Sequence, residues 1–129
     1  QSWLDYPFYM PPHDLSVTGG GEVWAGTPDG VAHYLPSQDE WTVHTTEQGL
    51  PAGGVEAVAA GPDGQVWAFV LWQGLYRLEE DHWQRIEDPP GGQVRDIALA
   101  ADGTPWVGTV ATRSSISLPP YLMALSKRL

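Results

Sequence analysis

Three stretches of this 129-residue chain set ionisable side chains directly ahead of an apolar run: 13-HDLSV-17, 56-EAVAA-60 and 95-RDIAL-99. Stacked on the repeated tryptophans described below, they put His13, Glu56 and Arg95 in one column and Asp14, Ala57 and Asp96 in the next. Leu15, Val58 and Ile97 follow as an apolar column that reads as core. The first two columns vary in residue type, as a binding rim does and a packing position does not. An imidazole beside carboxylates can move protons or hold a divalent ion, and an arginine can hold an anionic group. Adjacent strand residues point to opposite faces, so His13 and Asp14 meet one ligand only with help from other segments. The plainer alternative is a polar channel lining in which Arg95 pairs with Glu56 or Asp96.

A different kind of candidate is Trp72, in 70-VLWQG-74. It is not repeated; the preceding repeat has Pro28 or Asp29 near that place, in a turn. A large apolar ring held in water is unfavourable. It suits a sugar ring, a cation, a neighbouring loop or a second chain. Trp72, His13, Asp14, Glu56, Arg95 and Asp96 are thus the candidate ligand-binding residues. No residue set is singled out as catalytic or metal-ligating. There is no cysteine, no G-x-S-x-G, no H-E-x-x-H and no phosphate-binding loop, and no cofactor is expected. The run 18-TGGGE-22 is a hairpin turn, and His33 and His44 read as satisfied or exposed strand residues.

The elements that position these residues come from a repeat. The segments 21-GEVWAGT-27, 64-GQVWAFV-70 and 103-GTPWVGT-109 read alike, each with a glycine three residues before Trp24, Trp67 or Trp106. A second column holds Trp3, Trp41 and Trp83, the last two opening 41-WTVHT-45 and 83-WQRIE-87. These six tryptophans are expected to pack one repeat on the next, because a ring recurring repeat by repeat buries a large apolar area. In the second repeat the pattern predicts strands at 55–60, 65–70, 74–79 and 82–87. The turns 62-PDG-64 and 101-ADG-103 favour tight hairpins, since Gly accepts positive φ and Asp bonds its own backbone. Fifteen glycines and twelve prolines suit many short strands and oppose helices. Four antiparallel strands recurring about every 40 residues, with a repeated aromatic and glycine, form a β-propeller blade.

The pattern G-x-V-W-x-G-T-x-x-G-V/L followed by 41-WTVHTTEQGLPAGGV-55 resembles the two-component-regulator type of propeller repeat, found in sensor regions of bacterial signalling proteins. The resemblance runs over roughly residues 13–110 and implies an all-β propeller fold and a role in sensing or recognition. More distantly the chain is similar to the propeller of the streptogramin lyases. Residues 111–129 depart from the pattern.

The expected organisation is an outer strand at 3–6, a blade at 13–45, a blade at 55–87, and an incomplete or altered blade at 94–129. In the last, 121-YLMAL-125 is matched to 75-LYRLE-79 and 111–120 forms an enlarged loop; a short helix over 121–129 is the other reading. Propellers close with about four to eight blades, and three would leave strand edges and apolar faces bare. The expectation is a homodimer: residues 3–6 of each chain complete the third blade of the other, giving one six-bladed ring. The bland alternative is a fragment of a longer propeller.

The net charge of −10, from sixteen acids against six bases, repels phosphate backbones and anionic membranes, so neither nucleic acid nor membrane is an expected partner. No apolar run approaches the roughly 18 residues of a spanning helix. The sequence opens on Gln1, which reads as a trimmed N-terminus and leaves the compartment open. Three functions remain. The first is a non-enzymatic binding or sensing module with its ligand or partner at the loop-bearing face. The second is a protein-interaction scaffold without a small-molecule site. The third is a metal-assisted propeller lyase or hydrolase using His13 and a carboxylate.

Overall fold

The computed structural model describes residues 6–7, 11–86, 93–110 and 123–127. Within them the fold is all-β: three antiparallel sheets built as propeller blades. The first blade is β1 (Asp14–Val17), β2 (Val23–Thr27), β3 (Gly30–Leu35) and β4 (Glu40–His44), paired in that order. The second is β5 (Val55–Ala60), β6 (Val66–Val70), β7 (Gly74–Glu79) and β8 (His82–Ile86). The third holds β9 (Gln93–Leu99), β10 (Pro105–Val110) and β11 (Met123–Lys127), with β10 in the middle. The first strands of the blades lie side by side, β1 against β5 and β5 against β9.

The glycine before each tryptophan has a backbone reason. Gly21, Gly64 and Gly103 close the first hairpin of their blades at φ of 87, 79 and 86°. That region costs an ordinary L-residue about 1–2 kcal/mol. In the third blade Asp102 adds the expected local bond, its Oδ1 accepting from Thr104 N at 2.9 Å. From there the chain enters β2 or β6 with the tryptophan facing the following blade. Trp24 shares a buried cluster with Val58, Val66, Ala68 and Trp83 of the second blade. Trp67 shares one with Ile97 and Val107 of the third. Both indoles are nearly inaccessible, Trp24 at 6% and Trp67 at 3%. Trp83 comes from the outer strand of the second blade and packs back on the first at 2%. Trp41, its counterpart, is half-buried against Tyr6, edge to face with centroids 5.4 Å apart.

Register reveals a column that residue type hides. His33 pairs with Trp24, Arg77 with Trp67 and Lys127 with Trp106. The His33 ring stacks on Trp24 at 3.6 Å, and the Arg77 guanidinium lies over Trp67 at 5.6 Å, where a cation meets the negative ring face. Each of the two has a carboxylate partner, Glu22 for His33 and Glu79 for Arg77. The same register corrects the third blade. Residues 123–127 are a strand paired with β10, not part of a helix. Lys127, and not Met123, takes the place of Arg77, so the sequence match of 121–125 to 75–79 was four residues out of step. An even offset keeps the faces and goes unnoticed in an apolar pattern. Trp3 and most of the expected strand at 3–6 lie outside the described residues, as do residues 87–92 and the expected enlarged loop at 111–120; Tyr6 itself is not in a strand.

Candidate functional site

The polar column sits at the start of the first strand of each blade, and in the second and third blades it falls on a register irregularity. Asp14 pairs with Gly26, and the preceding His13 N also donates to the Gly26 carbonyl at 2.7 Å. In the second blade Val55 pairs with Val70 and Ala57 with Phe69, leaving Glu56 without a ladder partner. In the third Val94 pairs with Thr109 and Asp96 with Gly108, leaving Arg95 over. Glu56 and Arg95 are therefore each the extra residue of a β-bulge, a feature that re-aims a side chain out of the ladder, while His13 holds the matching place just ahead of the first ladder pair of its blade. Nothing in residue type announces it, which is why the sequence yields the column but not its cause.

These positions bring His13 and Glu56 together. His13 Nδ1 lies 2.5 Å from Glu56 Oε2 and 3.2 Å from the Val55 carbonyl oxygen. Both partners are acceptors, so Nδ1 carries the proton and donates, and the lone pair of the neutral ring sits on Nε2. The pair is accessible, with 40% and 33% of the side chains exposed. Arg95 shares their backbone position; its side chain lies outside the described residues.

Asp14 and Asp96 serve the backbone. Asp14 Oδ1 accepts from Leu15 N at 3.0 Å, and its Oδ2 reaches across to Val58 N in the next blade, also at 3.0 Å. Two residues on, Ser16 Oγ accepts from Ala60 N at 2.9 Å. These bonds satisfy amides on the free inner edge of β5 that its own sheet cannot reach. Asp96 repeats the local half of this pattern, its Oδ1 accepting from Ile97 N at 2.9 Å.

Trp72 stands alone. It is 87% exposed and its φ is +67°. Gln73 N donates to the Val70 carbonyl at 2.9 Å, so Trp72 is the third residue of a four-residue turn. Positive φ at that place is ordinarily met by Gly or Asn. The corresponding turn of the first blade closes between Thr27 and Gly30 and is one residue shorter than the turn between Val70 and Gly74.

The segment 45–54 joins Trp72 to the His13–Glu56 pair. Thr45 caps the 3₁₀ turn Thr46–Gln48 by accepting from Glu47 N, while Gln48 Oε1 accepts from Thr45 N at 2.7 Å. Gly49 ends the turn in the left-handed region, and Leu50 drops into the core at 4% exposure. The chain then runs along the rim: the Gly54 carbonyl accepts from Leu71 N at 2.9 Å, and Gly54 abuts His13 and Pro28. The motif 45-TTEQGLP-51 is thus structural, and its product is a fixed strip of loop with His13 and Glu56 at its inner end and the Trp72 turn beside it.

Two further features were not anticipated. At the opposite end of the sheets, a crevice of about 370 Å³ lies between the first hairpins of blades one and two, lined by Thr18, Glu22, Trp24, Pro62 and Gln65 among others; none of the candidate residues borders it. Between the outer strands of the same blades, Trp83 Nε1 donates to His44 Nδ1 at 2.9 Å in a buried contact. Burial first, and then the neighbouring His33, hold the His44 imidazole below its ordinary pKa, with Asp81 acting the other way. Among the described residues no three His, Cys, Asp or Glu side chains gather as a metal-ligand set.

No family model and no curated protein matches the chain. Solved structures do. The extracellular domain of BT4673 from B. thetaiotaomicron, described as that of a hybrid two component system, superposes with a TM-score of 0.63 at 21% identity. The match covers 85% of this chain and 16% of that one. A second structure of the BT4673 extracellular domain gives 0.59 at 19% identity, again over 85% and 16%. The PQQ-bound aldose sugar dehydrogenase of Streptomyces coelicolor gives 0.54 at 17% identity, over 80% of this chain and 39% of that one. At these identities the likeness is one of fold. The chain spans less than half the length of each of these relatives, and the sequence resemblance to two-component-regulator propellers agrees with the first two.

Proposed function

We propose that the chain is a non-enzymatic recognition module of the sensing type, whose ligand or partner rests on the loop-bearing face against Trp72. The observation that carries this reading is the state of Trp72: a fully presented indole in a backbone conformation that disfavours it. Strain of this kind persists where the surroundings impose it, and it gathers at ligand clamps. An exposed indole offers a flat apolar face to a sugar ring or a cation. The His13–Glu56 pair at the inner end of the same strip supplies a hydrogen-bonding edge, and Arg95 shares its place in the third blade. Asp14 and Asp96 support this rim by holding the backbone behind it. Similarity to the extracellular domain of a two component system fits a sensing role.

The test is a thermal-shift and fluorescence titration with neutral saccharides and a quaternary ammonium ion, on the native chain and on Trp72→Ala. The expected result is a ligand whose affinity falls at least tenfold in Trp72→Ala while the melting temperature holds or rises. A ligand bound equally well by both removes Trp72 from the site. A face that takes none of these probes but loses a protein partner in Trp72→Ala supports the interaction scaffold, since Trp is also a frequent anchor of protein interfaces.

A further inference from the structure

The two junctions inside the chain define what an unpaired blade lacks. At each, a tryptophan of one blade shares a buried cluster with a cross-strand pair of the next. Trp24 clusters with the pair Val58 and Ala68, and Trp67 with the pair Ile97 and Val107. The chain also holds both halves of a third such junction, unassembled. Trp106 is the tryptophan half; at 41% exposure it contrasts with the 6% and 3% of its counterparts. The other half lies along β1 on the outer face of the first blade, where Leu15 is exposed although its cross-strand partner Ala25 is buried. Strand alternation fixes that face: Asp14 and Ser16 bond to β5, so Leu15 and Val17 point away from the second blade. They are 56% and 62% exposed, and Val43 on the same face is 36% exposed. Val58 and Ile97, which match Leu15, are at 2% and 5%.

We propose that a second copy of the chain covers both exposed places, the Trp106 of each copy seating on Leu15 and Val17 of the other. The continuity of the repeated interface argues for this occupant, because Trp106 repeats the place of Trp24 and Trp67, and Leu15 that of Val58 and Ile97, at the internal junctions. For the 129 residues taken by themselves, blade number sets the stoichiometry. Two copies of three blades make a six-bladed ring, within the usual range of about four to eight blades, and three copies would exceed it. The two new junctions are equivalent under one two-fold axis, so the assembly closes and does not propagate. Pairing also completes the rim proposed above, setting His13, Glu56 and Arg95 of both copies around one axis.

The test is the mass of the 129-residue chain by light scattering after gel filtration, from nanomolar to high micromolar concentration, with Leu15→Lys beside it. The expected mass is twice 14.1 kDa, and Leu15→Lys should weaken the pair at least tenfold with an unchanged far-UV spectrum. Should that variant lose β-structure, Val17→Thr reads the same face while keeping a β-branched residue. A single-chain mass at every concentration overturns the proposal and leaves the faces to further blades of a longer polypeptide. So does a mass of three or more chains, or a pair indifferent to both substitutions. The measurement is blind to Trp72, so its failure and that of the ligand reading are separable.

Discussion

The junction between the first two blades and the junction between the last two occupy equivalent places and are built differently. In the first, side chains cross from β1 to bond the backbone of β5: Asp14 to Val58 N and Ser16 to Ala60 N. Its outer end is closed by the Trp83–His44 hydrogen bond. In the second, the positions of Asp14 and Ser16 hold Ala57 and Ala59, buried at 0% and 5% against a cluster with Trp67, Phe69 and Ile97. The exposed amide of β9 is met by its own Asp96 rather than by a neighbour. Hydrogen bonds across the first junction fix register and distance, since a one-residue slip would break them. Among the described residues the second rests on burial, which is strong but non-directional.

The sharpest test of that contrast removes the apolar anchor. Trp67→Ala at the second junction is expected to cost about 3–5 kcal/mol, the usual range for emptying a large aromatic site, read from the denaturant midpoint. Asp14→Ala at the first should cost less, about 1–3 kcal/mol, because it leaves the Val58 amide without its acceptor. Asp14→Asn keeps an acceptor oxygen and should recover most of the loss. Hydrogen exchange at Val58 separates the two variants; equal protection in Asp14→Ala and the native chain would break the comparison.

The first junction alone should also titrate. His44 is held neutral in the folded chain, with a pKa below its unfolded value. The unfolded chain takes up a proton near pH 6.5 that the folded chain refuses until lower pH. Stability from this group is therefore intact above about pH 6.5 and declines as the pH falls below it. The decline reflects first the cost of charging a buried imidazole and then the neighbouring His33; a protonated Nδ1 also cannot receive the Trp83 N–H. Denaturant melts between pH 7.5 and 5 should show the slope, and His44→Gln should flatten it. The smallest effect lies outside both junctions. Trp72→Gly should raise stability by about 0.5–1 kcal/mol by relieving the left-handed backbone, whereas loss of stability there would show the indole packed rather than presented.

The blades were legible because their signals are local. A glycine at positive φ, a turn aspartate and a buried indole recur at fixed distances, and each has one physical job. The long-range polar work was not legible. Asp14 bonds to a residue 44 positions away, and in sequence it looks like any rim carboxylate. The cover over Trp24 and Trp67 escaped for another reason: His33 and Arg77 differ in type, so no column stands out until the register is known. The site was half legible. Residue variety marked His13, Glu56 and Arg95, and the absence of a repeat marked Trp72, but the bulges and the strained turn depend on backbone geometry that composition does not encode.

The bulge carries one more consequence. A residue released from the ladder has no cross-strand partner to suit, so exchanging it disturbs neither register nor core. Two blades already show this latitude, with a carboxylate and a guanidinium at one address. On the proposed reading, such a rim can be rewritten one blade at a time, each exchange altering what is recognised while the fold beneath continues to assemble unchanged.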